Sequence, residues 1–100
     1  MTLRPRERNR TAAEAVAVSA LAFLAGDEER LDRFVALAGI DVGRIREIAG
    51  QPEFLAAVMD HLMSDETLLL AFAANDGIRP ADVVRAAHAM GAGPWERDHA

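Results

Sequence analysis

Leu24-Ala25-Gly26-Asp27-Glu28 and Leu62-Met63-Ser64-Asp65-Glu66 are one stretch written twice, 38 positions apart. The match continues outward, from Leu31 to Leu69, from Phe34 to Phe72 and from Gly39-Ile40 to Gly77-Ile78. In each copy an apolar segment ends on a small residue, an aspartate can cap the next helix, acidic residues fill its first turn and a glycine closes it. Two such units, each with an uncovered apolar face, bury those faces against one another. The chain therefore reads as all-α, a six-helix bundle of two similar three-helix halves related by pseudo-two-fold symmetry.

Outward from that stretch, Thr11 and Glu14 form a capping box that predicts a first helix from about Ala12 to about Ala25. Gly26 is expected to end it in the left-handed conformation. Ser19 is the one polar side chain between Val16 and Ala25, so this helix should be enclosed on nearly all sides. Asp27 caps a second helix through about Ala38, with Leu31, Phe34, Val35 and Ala38 as its buried stripe. Asp41 opens a short third helix carrying Ile45, Ile48 and Ala49, and Gly50 closes the first half. Pro52 suits the first position of a fourth helix, whose apolar face is Phe54, Leu55, Val58, Met59 and Leu62. Ser64-Asp65 starts a fifth through about Asn75. Gly77 and Pro80 then lead into a sixth, with Val83, Ala86, Ala87 and Met90 facing inward. The first and fourth helices take the central positions.

A length of 100 residues with 51% hydrophobic content fits a single domain, placed at residues 11–90. Before it, Arg4, Arg6, Arg8 and Arg10 against Glu7 give the first ten residues a charge of +3, read as a basic disordered arm. The total is -5, so the rest of the chain is acidic and opposes phosphate-rich partners over most of its surface. After the domain, residues 91–100 form a tail whose Trp95 is expected to dock onto the body. With no cysteine the chain holds no disulfide, thiolate metal site or cysteine nucleophile, and nothing ties it to an oxidising compartment, which makes the cytoplasm the expected location. All eleven basic residues are arginine, which excludes lysine Schiff-base chemistry. The basic start followed by Ala12 to Ala25 has the outline of a signal peptide. Glu14 interrupts the apolar run, however, and residues 16–28 have a counterpart at 54–66, so it reads as a helix of the bundle. The run is shorter than the roughly 20 residues a membrane span needs.

His61 is the most distinctive candidate residue, because the repeat aligns it with Phe23. Asp65 follows four residues later, and such a pair can ligate a metal or raise an imidazole pKa. A catalytic zinc site needs three protein ligands, and neither HExxH nor a third helical histidine accompanies the pair. A partly buried, hydrogen-bonded structural histidine is the expectation. Ser64 falls at a helix cap, where a backbone amide occupies its oxygen, and no G-x-S-x-G elbow is present. Capping also accounts for Asp27-Glu28 and Asp65-Glu66, and no glycine-rich phosphate loop occurs. No catalytic residue, metal ligand set or cofactor is predicted, so the chain does not read as an enzyme.

Comparison of the copies sets Arg30, Asp32 and Arg33 of the second helix against Leu68, Leu70 and Ala71 of the fifth. That apolar excess, with Met59, Met63 and Trp95, is the expected docking surface, since methionine and tryptophan suit adaptable and anchoring contacts. The function this favours is protein–protein interaction, as a small regulatory adaptor that can also form a homodimer. The alternative is nucleic-acid binding through the arginine arm and a helix-turn-helix-like pair, at Val35 to Ile48 or Ala73 to Ala86. A reading helix needs arginine and amide side chains, whereas these present Arg44, Arg46 and Glu47, or Asp82, Arg85 and His88. Nucleic acid is accordingly not the expected partner.

Thr11-Ala12-Ala13-Glu14-Ala15, Ala20 through Asp27 with Arg33-Phe34, Pro52 through Phe72, and Pro94-Trp95-Glu96-Arg97 together resemble a bacterial, mainly alphaproteobacterial, domain-of-unknown-function family numbered 3572. The resemblance implies an intracellular helical protein. It brings no catalytic residue, cofactor or activity to carry over.

Overall fold

Aspartate caps and glycine stops divide the chain into short helices. The computed structural model describes residues 4–91, apart from the side chain of Arg6. Among these the chain forms α1 (Pro5–Ala25), α2 (Glu28–Ala38), α3 (Ile45–Ile48), α4 (Pro52–Met63), α5 (Glu66–Asp76) and α6 (Pro80–Ala89). A 3-10 turn, Val42–Arg44, leads into α3, and no strand occurs among the described residues.

The two copies are punctuated alike. Asp27 Oδ1 accepts from the amides of Glu29 and Arg30 at 3.0 and 3.3 Å, and Asp65 Oδ1 accepts from Leu68 at 3.1 Å. Gly39 and Gly77 end α2 and α5 at φ 69° and 66°, a left-handed conformation that side chains avoid. The next amides, of Ile40 and Ile78, donate back to the carbonyls of Val35 and Ala73 at 3.0 and 2.9 Å. Both helices are 11 residues long, and α1 and α4 end on the equivalent residues Ala25 and Met63. The third elements differ, since α6 has 10 residues where the first half has a turn and the four-residue α3.

At α1 the structure departs from the sequence reading. The helix starts at Pro5, so residues 5–10 are helical rather than disordered, and Thr11 is an exposed mid-helix residue instead of a cap. Proline pre-sets the first helical φ, the Arg8 amide donates to the Arg4 carbonyl at 2.9 Å, and Arg10 pairs with Glu14 at 3.5 Å. The first buried residue is Ala13, so about two turns run ahead of the core. Gly26 is right-handed, at φ -74°, like its counterpart Ser64 at -83°. With one residue between the helix end and the Asp27 cap, the chain turns without a left-handed residue.

Both α1 and α4 pack against α2, α5, α6 and each other, which makes them the central pair. The core face of α1 is Ala13, Ala17, Ala20 and Leu24, and its three alanines let neighbouring helices approach closely. It is not enclosed all round: Val18 and several alanines face outward, because the buried positions follow a single helical stripe. The predicted inner faces of α4 and α6 are all buried. On α2, Phe34 and Val35 are buried, whereas Ala38 lies on the surface. Rings join the halves crosswise, with Phe23 of α1 against Phe72 of α5 at 5.6 Å and His61 of α4 against Phe34 of α2 at 5.1 Å. Phe54 meets Phe34 edge-on at 5.8 Å.

Candidate functional site

Two depressions meet at His61, which α4 holds against the ring of Phe34 with 9% of its surface exposed. The first is a polar cleft of about 270 Å³, bounded by Asp27, Glu29, Arg30, Arg33, Asp65 and Leu68. The second is an apolar groove of about 540 Å³ between α2 and α4, lined by Phe34, Leu37, Ala38, Ala57 and Met63, with Asp60 and Ser64 at its polar edge.

His61 departs from the hydrogen-bonded histidine that the sequence suggests. Its side chain makes no hydrogen bond among the described residues, and its ring packs against that of Phe34, tilted by 59°. Burial pushes its pKa below 6.5; the Asp65 carboxylate opposes that shift and the Arg33 guanidinium adds to it. Asp65 instead spends its carboxylate on the Leu68 amide. Ser64 does not accept a capping bond either: its hydroxyl donates to the His61 carbonyl at 2.7 Å, which closes α4. His61, Asp65 and Ser64 thus lie side by side without forming a proton relay. Among the described residues no three His, Asp or Glu side chains gather closely enough to hold a metal ion. In the cleft, the Arg30 guanidinium lies 4.5 Å above the Phe23 ring, a cation–π contact, and 3.9 Å from Asp27.

The docking surface read from the sequence does not form one patch. Met59 is fully buried and belongs to the core, because it falls on the inner stripe of α4. Met63 lines the apolar groove, while Leu68 borders the polar cleft. Leu70 is 45% exposed. It stands two residues from Leu68, about 200° round the helix. Ala71 is half-buried, and Trp95 lies outside the described residues.

The groove depends on Leu37, which the sequence reading passed over, and on Ala38, which it placed on the buried stripe of α2. Leu37 is 72% exposed at the rim, and Ala38 lies beside it. Their counterparts in the second half are Asn75 and Asp76, and the counterpart of Met63 is Ala25. Comparing those positions is the signal that would have found the groove.

Among the described residues Arg10, Arg30, Arg44, Arg79 and Arg85 each pair with a carboxylate three or four positions away. Arg79 and Arg85 both reach Asp82, at 3.1 and 3.0 Å, and Arg44 reaches Glu47 at 3.6 Å. Arg8 and Arg10 are exposed on the first turns of α1. No helix among the described residues is long and apolar enough to cross a membrane.

Comparison with curated proteins and with solved structures finds no match to the chain. A family model, described as "Protein of unknown function (DUF3572)", matches residues 10–93, which include every residue of both depressions. With the match running from the second turn of α1 past the end of α6, the chain belongs to the DUF3572 family.

Proposed function

We propose that this protein is a cytoplasmic interaction module without catalytic activity, a regulatory adaptor that takes the apolar face of a partner helix in the α2–α4 groove. The observation that carries the reading is Leu37, 72% exposed beside Ala38, Ala57 and Met63. Covering a leucine side chain gains about 1.5–3 kcal/mol, and the fold leaves that gain unused. A groove between two helices with a rigid aromatic floor is also a common seat for an amphipathic helix. The halves are read as related by a local two-fold axis, which the exchange of Phe23–Phe72 for His61–Phe34 supports.

Capture from the native cell with tagged protein tests the reading. Leu37→Asp should lose the bound proteins at least tenfold while helical content and melting temperature hold, and Leu70→Asp should retain them. Undiminished capture by Leu37→Asp would refute the groove as the docking site. A second copy of the chain is one partner this experiment would reveal, through its sedimentation mass.

The exposed helical start of α1, with Arg4, Arg8 and Arg10, favours a second reading, contact with nucleic acid through a basic extension. That reading requires affinity for duplex or single strands that falls steeply with salt and vanishes on removal of residues 1–10.

A further inference from the structure

We infer that the outer face of α1 pairs, antiparallel, with the same face of a second copy of the chain. This surface shares no residue with the α2–α4 groove and leaves that groove open to a partner of its own.

The burial of α1 on one side leaves the opposite side uncovered. Arg8, Thr11, Ala15, Val18, Ala22 and Ala25 are all exposed, Val18 by 52%. Counted at about 100° per residue, they lie roughly 160° round the helix from Ala13, Ala17, Ala20 and Leu24. From Arg4 to Ala25 the spacing along this line alternates between four and three residues, the repeat of about 3.5 by which two helices pair along their length. A surface helix ordinarily turns charged residues outward, yet from Thr11 to Ala25 this line carries none. Its alanines allow a second helix axis to approach to the near end of the roughly 8–10 Å range.

Charge selects the occupant and its direction. Arg4 and Arg8 make no ion pair among the described residues, and neither do Glu28 and Glu29, just past the other end of the helix. A parallel pair of copies would set arginine against arginine and glutamate against glutamate, which repel. An antiparallel pair about a two-fold axis between Val16 and Ala17 sets Ala15 against Val18, Thr11 against Ala22 and Arg8 against Ala25. Arg4 then lies level with Glu28 and Glu29 of the second copy, and the same contact recurs at the other end. This arrangement also gives an occupation to the two turns of α1 that run ahead of its own core, since they span the distance to the acidic turn.

One helix pair falls short of the roughly 1,200 Å² that a stable interface buries, so the dimer is weak, half-formed on the order of 100 μM. At the lower concentrations of a urea titration the copies are apart.

Sedimentation equilibrium of the full chain across that range tests the inference. The average mass should climb from 10.8 kDa toward twice that value with concentration, and less steeply in added salt. Val18→Glu, or Arg4→Glu with Arg8→Glu, should weaken dimerisation at least tenfold with circular dichroism unchanged, because all three positions are exposed. Glu28→Arg with Glu29→Arg should do the same. An equimolar mixture of the two charge-reversed chains should recover the wild-type mass, because each end then meets its opposite. A wild type that stays at 10.8 kDa up to about 1 mM overturns the inference. So does a dimer that Val18→Glu leaves intact, or a mixture of reversed chains that stays monomeric. Loss of the dimer in Leu37→Asp would seat the second copy in the α2–α4 groove, which overturns the α1 pairing and keeps the docking reading. A dimer that survives Leu37→Asp and falls to Val18→Glu supports the α1 pairing whatever the groove binds.

Discussion

His61 aligns with Phe23 of the other half, and meets Phe34 in a tilted ring contact as Phe23 meets Phe72. An imidazole in that position titrates, which a phenyl ring does not. Burial lowers the folded-state pKa, so the unfolded chain takes up its proton near pH 6.5 and the folded protein only at more acidic pH. Between those two values the unfolded state binds more protons. The contribution to stability is therefore full above about pH 6.5, declines as pH falls through the interval and levels off below the folded value. Thermal melts from about pH 8 to pH 5 should show a decline in the wild type that His61→Phe lacks, while at pH 8 the two agree within about 1 kcal/mol. Parallel profiles would show that the ring stays neutral, or charges without penalty, in both states. The alignment with Phe23 made the burial of His61 legible in the sequence. The missing hydrogen bond was not, because it depends on Phe34 of a different helix lying across the ring.

At the scale of helices, the equivalent caps give a test that separates backbone strain from space. A Cβ at Gly77 meets nothing within 4 Å, yet φ is +66°; at Gly26 it would meet two carbonyl oxygens at 3.5 Å, ordinary contact, with φ at -74°. Gly77→Ala should therefore cost about 1–2 kcal/mol, and Gly26→Ala no more than about 0.5, read as shifts of the urea midpoint at constant slope. The reverse order would mean that close packing sets the cost. Caps and stops made α2, α4, α5 and α6 legible to within a residue or two, because an aspartate cap bonds amides two or three residues on and proline and glycine act through their own backbone geometry. The start of α1 was misplaced for the same reason. Thr11 and Glu14 fit a capping box, but Pro5 offers an earlier start, and the arginines and Glu7 between them favour helix.

For the molecule as a whole, how α2 crosses α4 to form the groove is encoded in the spacing of neither helix, and its apolar rim was legible only by setting Leu37, Ala38 and Met63 against Asn75, Asp76 and Ala25. Comparing the copies pointed to the apolar excess of α5. Part of that excess is covered, with Leu68 against the cleft and Ala71 half-buried, and among the described residues the most open leucine is Leu37 of α2 rather than Leu70. The protruding start of α1 makes a different prediction. The described side chains of residues 4 to 12 lie outside the core and show one surface ion pair, Arg10 to Glu14, so a chain lacking residues 1–10 should unfold within about 1 kcal/mol of the full one in urea. A larger loss would show that the extension supports the bundle.

The crosswise rings carry a consequence for synthesis. Phe23 has no aromatic partner until Phe72 exists, and Phe34 none until Phe54 and His61 do. A nascent chain paused after Gly50 would hold both phenylalanines without their partners, and α1 without α4, α5 or α6 to cover it. Neither half is a finished product on the ribosome, so a stalled translation leaves a fragment that other exposed hydrophobes, or chaperones, will find first.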